Sequence, residues 1–203
     1  MRVERYVAMD SLLCPPLQVS VVYVSEGEDE RSITEAAERA EHYRDAIDAV
    51  AFDCPEGDIL ALPGSYKVMK AVKPVHSKAM VVTPGTDRAA LDDIMGGGFA
   101  DMALIRITGR ITDAQKDTLA LLEDYDYWYA VTAVMMPGVT DADAMREIAA
   151  ACPGCKRFLI RSADPKKHGS SAQPFGDKEI RELTKAVGGL VKNPMYMGEF
   201  RFA

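Results

Sequence analysis

The stretch Leu17-Gln18-Val19-Ser20-Val21-Val22-Tyr23-Val24 runs into Ser25-Glu26-Gly27-Glu28-Asp29-Glu30-Arg31, and a helical period over 33–47 then leads to Ala49-Val50-Ala51-Phe52. The first and last pieces are short and nearly continuous in apolar residues, the pattern of strands covered on both faces. Between them Ile33, Ala36, Ala37, Ala40, Tyr43 and Ile47 fall on one helix face. Ser32 or Thr34 is expected to cap that helix. Strand, turn, helix and strand make one βαβ unit, whose right-handed crossover sets its two strands parallel.

The unit recurs along the chain. Further apolar, β-rich runs occupy 79–83, 102–107, 129–135 and 157–160, and helical segments are expected at 65–72, 88–95, 113–124, 141–151 and 177–187. Such alternation predicts an α/β fold with mostly parallel strands. Six units are too few to close an eight-stranded barrel, so a partial (β/α)6 barrel is expected, with a doubly wound parallel sheet as the alternative. At 203 residues the chain suits a single α/β domain, 1–203. Within it, 1–16 reads as an N-terminal extension and 162–176, rich in Pro, Ser, Gly and Lys, as a surface loop. Residues 196–202 are expected to form a last edge strand. Gly96-Gly97-Gly98 follows a helix, where glycine serves as a left-handed cap rather than a phosphate loop.

A net charge of −7 argues against a nucleic-acid binder, which needs clustered Lys and Arg. No apolar run reaches the ~20 residues that span a bilayer. The N-terminus Met1-Arg2-Val3-Glu4-Arg5-Tyr6 alternates charged and apolar residues, unlike a secretory stretch. Neither nucleic acid nor membrane is therefore an expected partner, and the cytoplasm is the expected compartment. Of the four cysteines, Cys14, Cys54, Cys152 and Cys155, only the last two lie close together, as Cys152-Pro153-Gly154-Cys155. One such pair cannot fill a four-thiolate site. It reads as two thiols in a helix-to-strand turn, with redox exchange or a shared metal at Cys152 and Cys155 as the sharper alternative.

From about residue 33 onward, the order and spacing of segments resemble the radical-SAM activases of glycyl-radical enzymes and of anaerobic ribonucleotide reductase. Asp53-Cys54-Pro55-Glu56 falls where that family has Gly-Gly-Glu-Pro, a turn that contacts the amino group of S-adenosylmethionine. Thr83-Pro84-Gly85 resembles the end of a strand closing in Asp-Thr-Asn-Gly, with Val82 in the Asp place. The segment 98–108 resembles a strand running from Val-Asp into Asp-Ile-Lys, with Asp101 and Ile107 matching, Arg106 in place of the acid and Thr108 in place of the lysine. Met135-Met136-Pro137-Gly138 resembles a Val-Pro-Gly strand end, and 156–161 a strand carrying a late polar site residue. The family's three closely spaced cysteines would fall in 25–31, where only Ser, Glu, Gly, Asp and Arg stand. Departures cluster where cofactor chemistry would sit, while apolar strands and turns persist. The resemblance thus implies a degenerate site with no cofactor and no catalytic residue.

Ligands of parallel α/β folds bind at the carboxyl ends of the strands. By that rule the candidate ligand-binding residues are Asp53, Glu56, Thr83, Arg106 and Arg161, with Thr86, Thr108 and Thr132 beside them. Fork-shaped guanidinium groups suit carboxylate or phosphate, so an anionic small molecule is one expected partner. Equally, each arginine could pair with Asp53 or Glu56 and fill space that a cofactor once held. His42, His76 and His168 have no Cys or carboxylate at metal-ligand spacing. Asp124-Tyr125-Asp126-Tyr127-Trp128-Tyr129 and Asn193-Pro194-Met195-Tyr196-Met197 are rich in large apolar groups. They read as core packing or, since Tyr, Trp and Met are enriched at interfaces, as anchors for a protein partner. The expected role is a non-catalytic accessory protein or complex subunit in an anaerobic system; the alternative is an enzyme or binding protein for an anionic metabolite.

Overall fold

A computed structural model describes residues 1–168 and 171–199. Its residues group into two compact units, Met1–Leu104 and Ile105–Ala203. The first holds β1 (Arg2–Asp10), β2 (Val19–Ser25), α1 (Glu30–His42), β3 (Ala49–Asp53), α2 (Ser65–Val72), β4 (Lys78–Thr83) and α3 (Arg88–Gly96). Strand β5 (Met102–Thr108) carries the division. The second holds α4 (Asp113–Asp124), β6 (Trp128–Met135), α5 (Ala142–Ala150), β7 (Arg157–Ser162), α6 (Asp177–Ala186) and β8 (Met195–Glu199).

Among the described residues eight strands follow one another in chain order, β1 to β8. A doubly wound sheet reverses its strand order at a switch point. No reversal occurs here, and β2 to β7, each followed by its helix, make the six βα units of the expected (β/α)6 type. The expected strand-rich core follows directly from composition. Every residue of β3 is buried, and in β2 only the terminal Ser25 is not. Phe52 and Phe158 are wholly enclosed, and truncating either to alanine would cost about 3–5 kcal/mol.

The segment 1–16, read from sequence as an extension, contains a strand. β1 pairs antiparallel with β2, placing Tyr6 opposite Val22, with register shifts between Val3 and Arg5 and between Val7 and Asp10. The Tyr6 hydroxyl donates to Ser20 Oγ at 2.9 Å, which satisfies two buried polar groups at once. The cap of α1 also differs from expectation. Asp29 supplies it, accepting from the amides of Arg31 at 3.1 Å and Ser32 at 3.2 Å. Ser32 instead ties the helix to β1, its Oγ accepting from the Val3 amide at 2.9 Å. The helix ends at His42, so Ile47 lies beyond it, on the approach to β3.

Other boundaries fall close to the sequence reading. Thr112 and Gln115 form a reciprocal capping box on α4, and Asp141 caps α5 through the Ala144 amide at 2.8 Å. After α3, Gly98 takes a φ of 71° while the Phe99 amide reaches Ile94 O at 3.0 Å, the left-handed helix end expected of the glycine run. In 162–176, β7 continues to Ser162 and a 3-10 turn forms at Pro165–His168. Residues 169 and 170 lie outside the described residues, as do 200–202 of the expected last strand, whose described part belongs to β8. No helix among the described residues is long and apolar enough to cross a membrane.

Candidate functional site

Strand parity decides which side chains share a face. In the first unit the Arg39 guanidinium of α1 lies 5.0 Å from the Tyr6 ring centroid, and Tyr6 pairs with Val22. Val22, Phe52 and Val81, which pair in register, therefore face the helices. Tyr23 and Asp53, also paired in register, face the other way. Val82 shares that second face, whereas Thr83 has the parity of Val81. Asp53 and Thr83, grouped from sequence, are thus on opposite faces of the sheet.

The face of Tyr23 carries a cluster that sequence reading missed. The Arg5 guanidinium lies 4.4 Å from the Tyr23 ring centroid. Burial pushes the Tyr23 phenol up, reinforced by the negative charges of Asp53 and Asp10 and opposed by Arg5. Arg5 reaches this position because β1 runs antiparallel beside β2, placing Arg5 across from Tyr23. The cluster combines a cation, a protonated phenol and one carboxylate, Asp53, toward the carboxyl ends of β2 and β3, while Asp10, paired with Val19, acts from the other end of β2. It offers hydrogen bonds and charge, with no thiolate.

The remaining first-unit candidates divide by role. Thr83 Oγ1 donates to Asp58 Oδ2 at 3.0 Å and accepts from the Gly85 amide at 3.0 Å. Asp58 in turn accepts from the Leu60 amide at 3.0 Å. The Thr83 hydroxyl thereby clamps the loop after β3 to the end of β4. Glu56 is exposed at the tip of that loop, and Thr86 is exposed beyond β4. Cys54 is buried; burial pushes its thiol up, against the lowering effect of the Glu56 and Gly57 amides. Asp101 lies before β5 and accepts from Lys73 Nζ at 2.8 Å and the Ala79 amide at 2.9 Å. Burial alone would raise its carboxyl, but these donors together with Lys78 hold it below the usual range.

In the second unit, Thr132 pairs with Leu159 and Val134 with Arg161, so Thr132 and Arg161 share a face. Tyr129 has the opposite parity and points its hydroxyl at Glu123 of α4. Thr132 and Arg161 therefore lie on the face away from the helices. Arg161 is half-buried, as is Arg106 between the buried Ile105 and Ile107, and both are engaged with other groups. Thr108 is exposed.

Cys152 and Cys155 close the turn from α5 to β7, with the Cys155 amide donating to Cys152 O at 3.2 Å. Both are buried free thiols. A hydrogen bond to Cys155, then burial, drives the Cys152 thiol far above its ordinary value. Glu123 holds this turn: it accepts from the Tyr129 hydroxyl and, at 2.7 Å, from the Gly154 amide. A protonated thiol is neither nucleophile nor metal ligand. Among the described residues no group of three or more His, Cys, Asp or Glu is placed to hold a metal ion.

The aromatic segments also split. Tyr129 is 1% exposed and belongs to the core, whereas Tyr125 is 62% exposed and stacks on Tyr127 with ring centroids 5.7 Å apart. Met195 and Tyr196 of β8 are exposed at 43% and 38%.

No family model and no curated relative matches this sequence. Solved structures do. SuiB of Streptococcus suis bound to the precursor peptide SuiA aligns with a TM-score of 0.61 at 11% identity, over 85% of this chain and 44% of that one. SuiB bound to S-adenosylmethionine gives 0.60 at 11% identity, over 87% and 45%. A further SuiB structure gives 0.57 at 12% identity, over 82% and 43%. The chain spans less than half the length of these structures.

An iron–sulfur cluster is held by thiolates. The connection from β2 to α1 offers Glu26, Gly27, Glu28 and Asp29, preceded by Ser25, and Asp29 is committed to the helix cap. The residues present do not fit a cluster there. The likeness is one of fold: this chain has an α/β fold of six βα units with mostly parallel strands, similar to that of SuiB.

Proposed function

We propose that this chain is a radical-SAM-like protein of degenerate, activase-like descent. It acts without catalysis, as an accessory protein or complex subunit in an anaerobic system. One observation carries the reading: the β2–α1 connection is four residues long, lacks thiols and is spent on local structure. Ser25 Oγ bonds Glu4 and accepts from Arg2 Nε at 3.1 Å, and Asp29 caps α1. A turn tied in this way presents carboxylates to water and holds no soft metal. The neighbour SuiB binds a precursor peptide, and a polypeptide is the partner proposed here. The test is anoxic purification with iron and sulfide supplied. The expected product is colourless, and a stoichiometric cluster with a charge-transfer band would overturn the reading.

A second reading is a binding protein or enzyme for an anionic metabolite, favoured by the placement of Arg161 with Thr132 on the face away from the helices. Under it, Arg106 and Arg161 meet carboxylate or phosphate. Thermal shifts against phosphorylated and carboxylated metabolites discriminate the two. Saturable stabilisation that disappears in Arg106→Ala supports this second reading, and a flat response counts against it. Retained binding of S-adenosylmethionine, as in SuiB, is tested by calorimetry with that compound alone.

A further inference from the structure

The two terminal strands of the sheet differ chiefly in charge. β1 carries Arg2, Glu4 and Arg5 and two register shifts, devices that discourage another strand from adding. β8 reads Met-Tyr-Met-Gly-Glu, pairs parallel with β7 with a register shift near Gly198 (φ 82°), and along Met195–Met197 has no charged residue and no outer neighbour among the described residues. Beside it lies a groove of about 520 Å³ lined by Asp177, Ile180, Arg181, Thr184 and Lys185 of α6 and by Tyr196 of β8. Tyr196 is fixed there, its hydroxyl 3.0 Å from Ser162 Oγ.

The lining carries two cations, Arg181 and Lys185, and one acid, Asp177, a turn before Arg181 at the start of α6. Arg181 and Lys185 are exposed and form no ion pair among the described residues. Thr184 has a buried hydroxyl with no hydrogen-bond partner among those residues. Arg181 and Lys185 stand one helical turn apart, about 6 Å along the axis. Alternate residues of an extended chain, which point to the same side, repeat every ~6.6 Å. Two acidic residues separated by one other on an added strand would thus meet both cations in turn.

We propose that β8 and α6 form a docking site for an extended peptide with an acid-x-acid pattern. The peptide adds as a strand beside β8, with its carboxylates facing Arg181 and Lys185. Main-chain hydrogen bonds supply affinity in this mode and the side chains supply choice. The inference names the partner class for the accessory role proposed above and rests on that reading only in this respect.

The probe is a fluorescein-labelled heptapeptide, Thr-Val-Glu-Val-Glu-Val-Thr, followed by anisotropy and hydrogen exchange. Saturable binding is expected, with slowed exchange of the amides of Met195, Tyr196 and Met197 and a loss of affinity with added salt. The double reversal Arg181→Glu with Lys185→Glu is expected to weaken binding by at least about tenfold. The milder Arg181→Gln with Lys185→Gln pair, which keeps an exposed helix face polar, is expected to weaken it several-fold and serves if the reversal unfolds the protein. Equal binding of the lysine counterpart of the peptide would overturn the proposal. So would the absence of binding, or protection lying elsewhere than β8. Self-association that protects β8 in the absence of peptide would also overturn it, because the occupant would then be a second copy. Failure here leaves the iron and sulfide test untouched, since that test reads a different quantity.

Discussion

The connection from β2 to α1 and the turn from α5 to β7 handle polar and thiol chemistry in opposite ways. The first has exposed carboxylates and no thiol, and its bonds are local, to a helix start and to neighbouring β1 residues. The second has two buried thiols and a glutamate, Glu123, that reaches across from α4 to hold the turn and a core tyrosine together. Burial separates them. A carboxylate in water costs little to keep and stabilises little, whereas a carboxylate that accepts from the hydroxyl of a core tyrosine leaves that hydroxyl unsatisfied when it is removed. The paired cysteines thus sit in a buried turn where the Cys152 thiol is held protonated, while the β2–α1 connection carries carboxylates in water.

Four measurements test that contrast. The largest effect is expected from Glu123→Ala, which strands the Tyr129 hydroxyl and unties the exposed Gly154 amide from α4. Urea unfolding should show a loss of about 2–4 kcal/mol, and a loss below about 1 kcal/mol would erase the distinction between the two turns. Gly154→Ala comes next. Its added Cβ would collide with the Glu123 carboxylate, and about 2 kcal/mol should be lost on the same urea curve.

The third measurement is stability against pH. The Cys152 thiol and the Tyr129 phenol are both raised in the folded protein, the first by its bond to Cys155 and burial, the second mainly by burial. A raised group contributes stability that is full below its unfolded value and lost as pH climbs beyond it. Unfolding free energy should therefore fall above about pH 8.5, the ordinary thiol value, by roughly 1.4 kcal/mol per pH unit for each proton released. The slope should shallow in Cys152→Ala. The smallest effect belongs to the first turn: Asp29→Ala removes only a helix cap and should cost about 1 kcal/mol by thermal or urea unfolding.

How far the sequence carried depends on what each feature rests on. The six strands and six helices were readable because continuous apolar runs and helical periods persist whatever the partner strand is. β1 was not, because an antiparallel edge strand buries only one stripe, and Arg2, Glu4 and Arg5 hide Tyr6 within a charged segment. Asp29 lost out as a predicted cap because Ser32 and Thr34 satisfy the same preference a few residues later. The separation of Asp53 from Thr83 depends on register, which a single chain of letters does not fix. The Arg5–Tyr23–Asp53 cluster depends on it twice, across an antiparallel pair and then a parallel one. Arg106 and Arg161 were legible as cations near strand ends, but not their half-burial or the company they keep.

The strand order has a consequence for how the chain comes into being. Because each strand neighbours the one before it in sequence, no strand has to wait for a distant segment before it can pair. Contacts close over the length of one helix and its turns, which keeps loop-closure entropy small at every step. The sheet can then be extended one βα unit at a time as the chain leaves the ribosome, each new strand finding a finished edge to join.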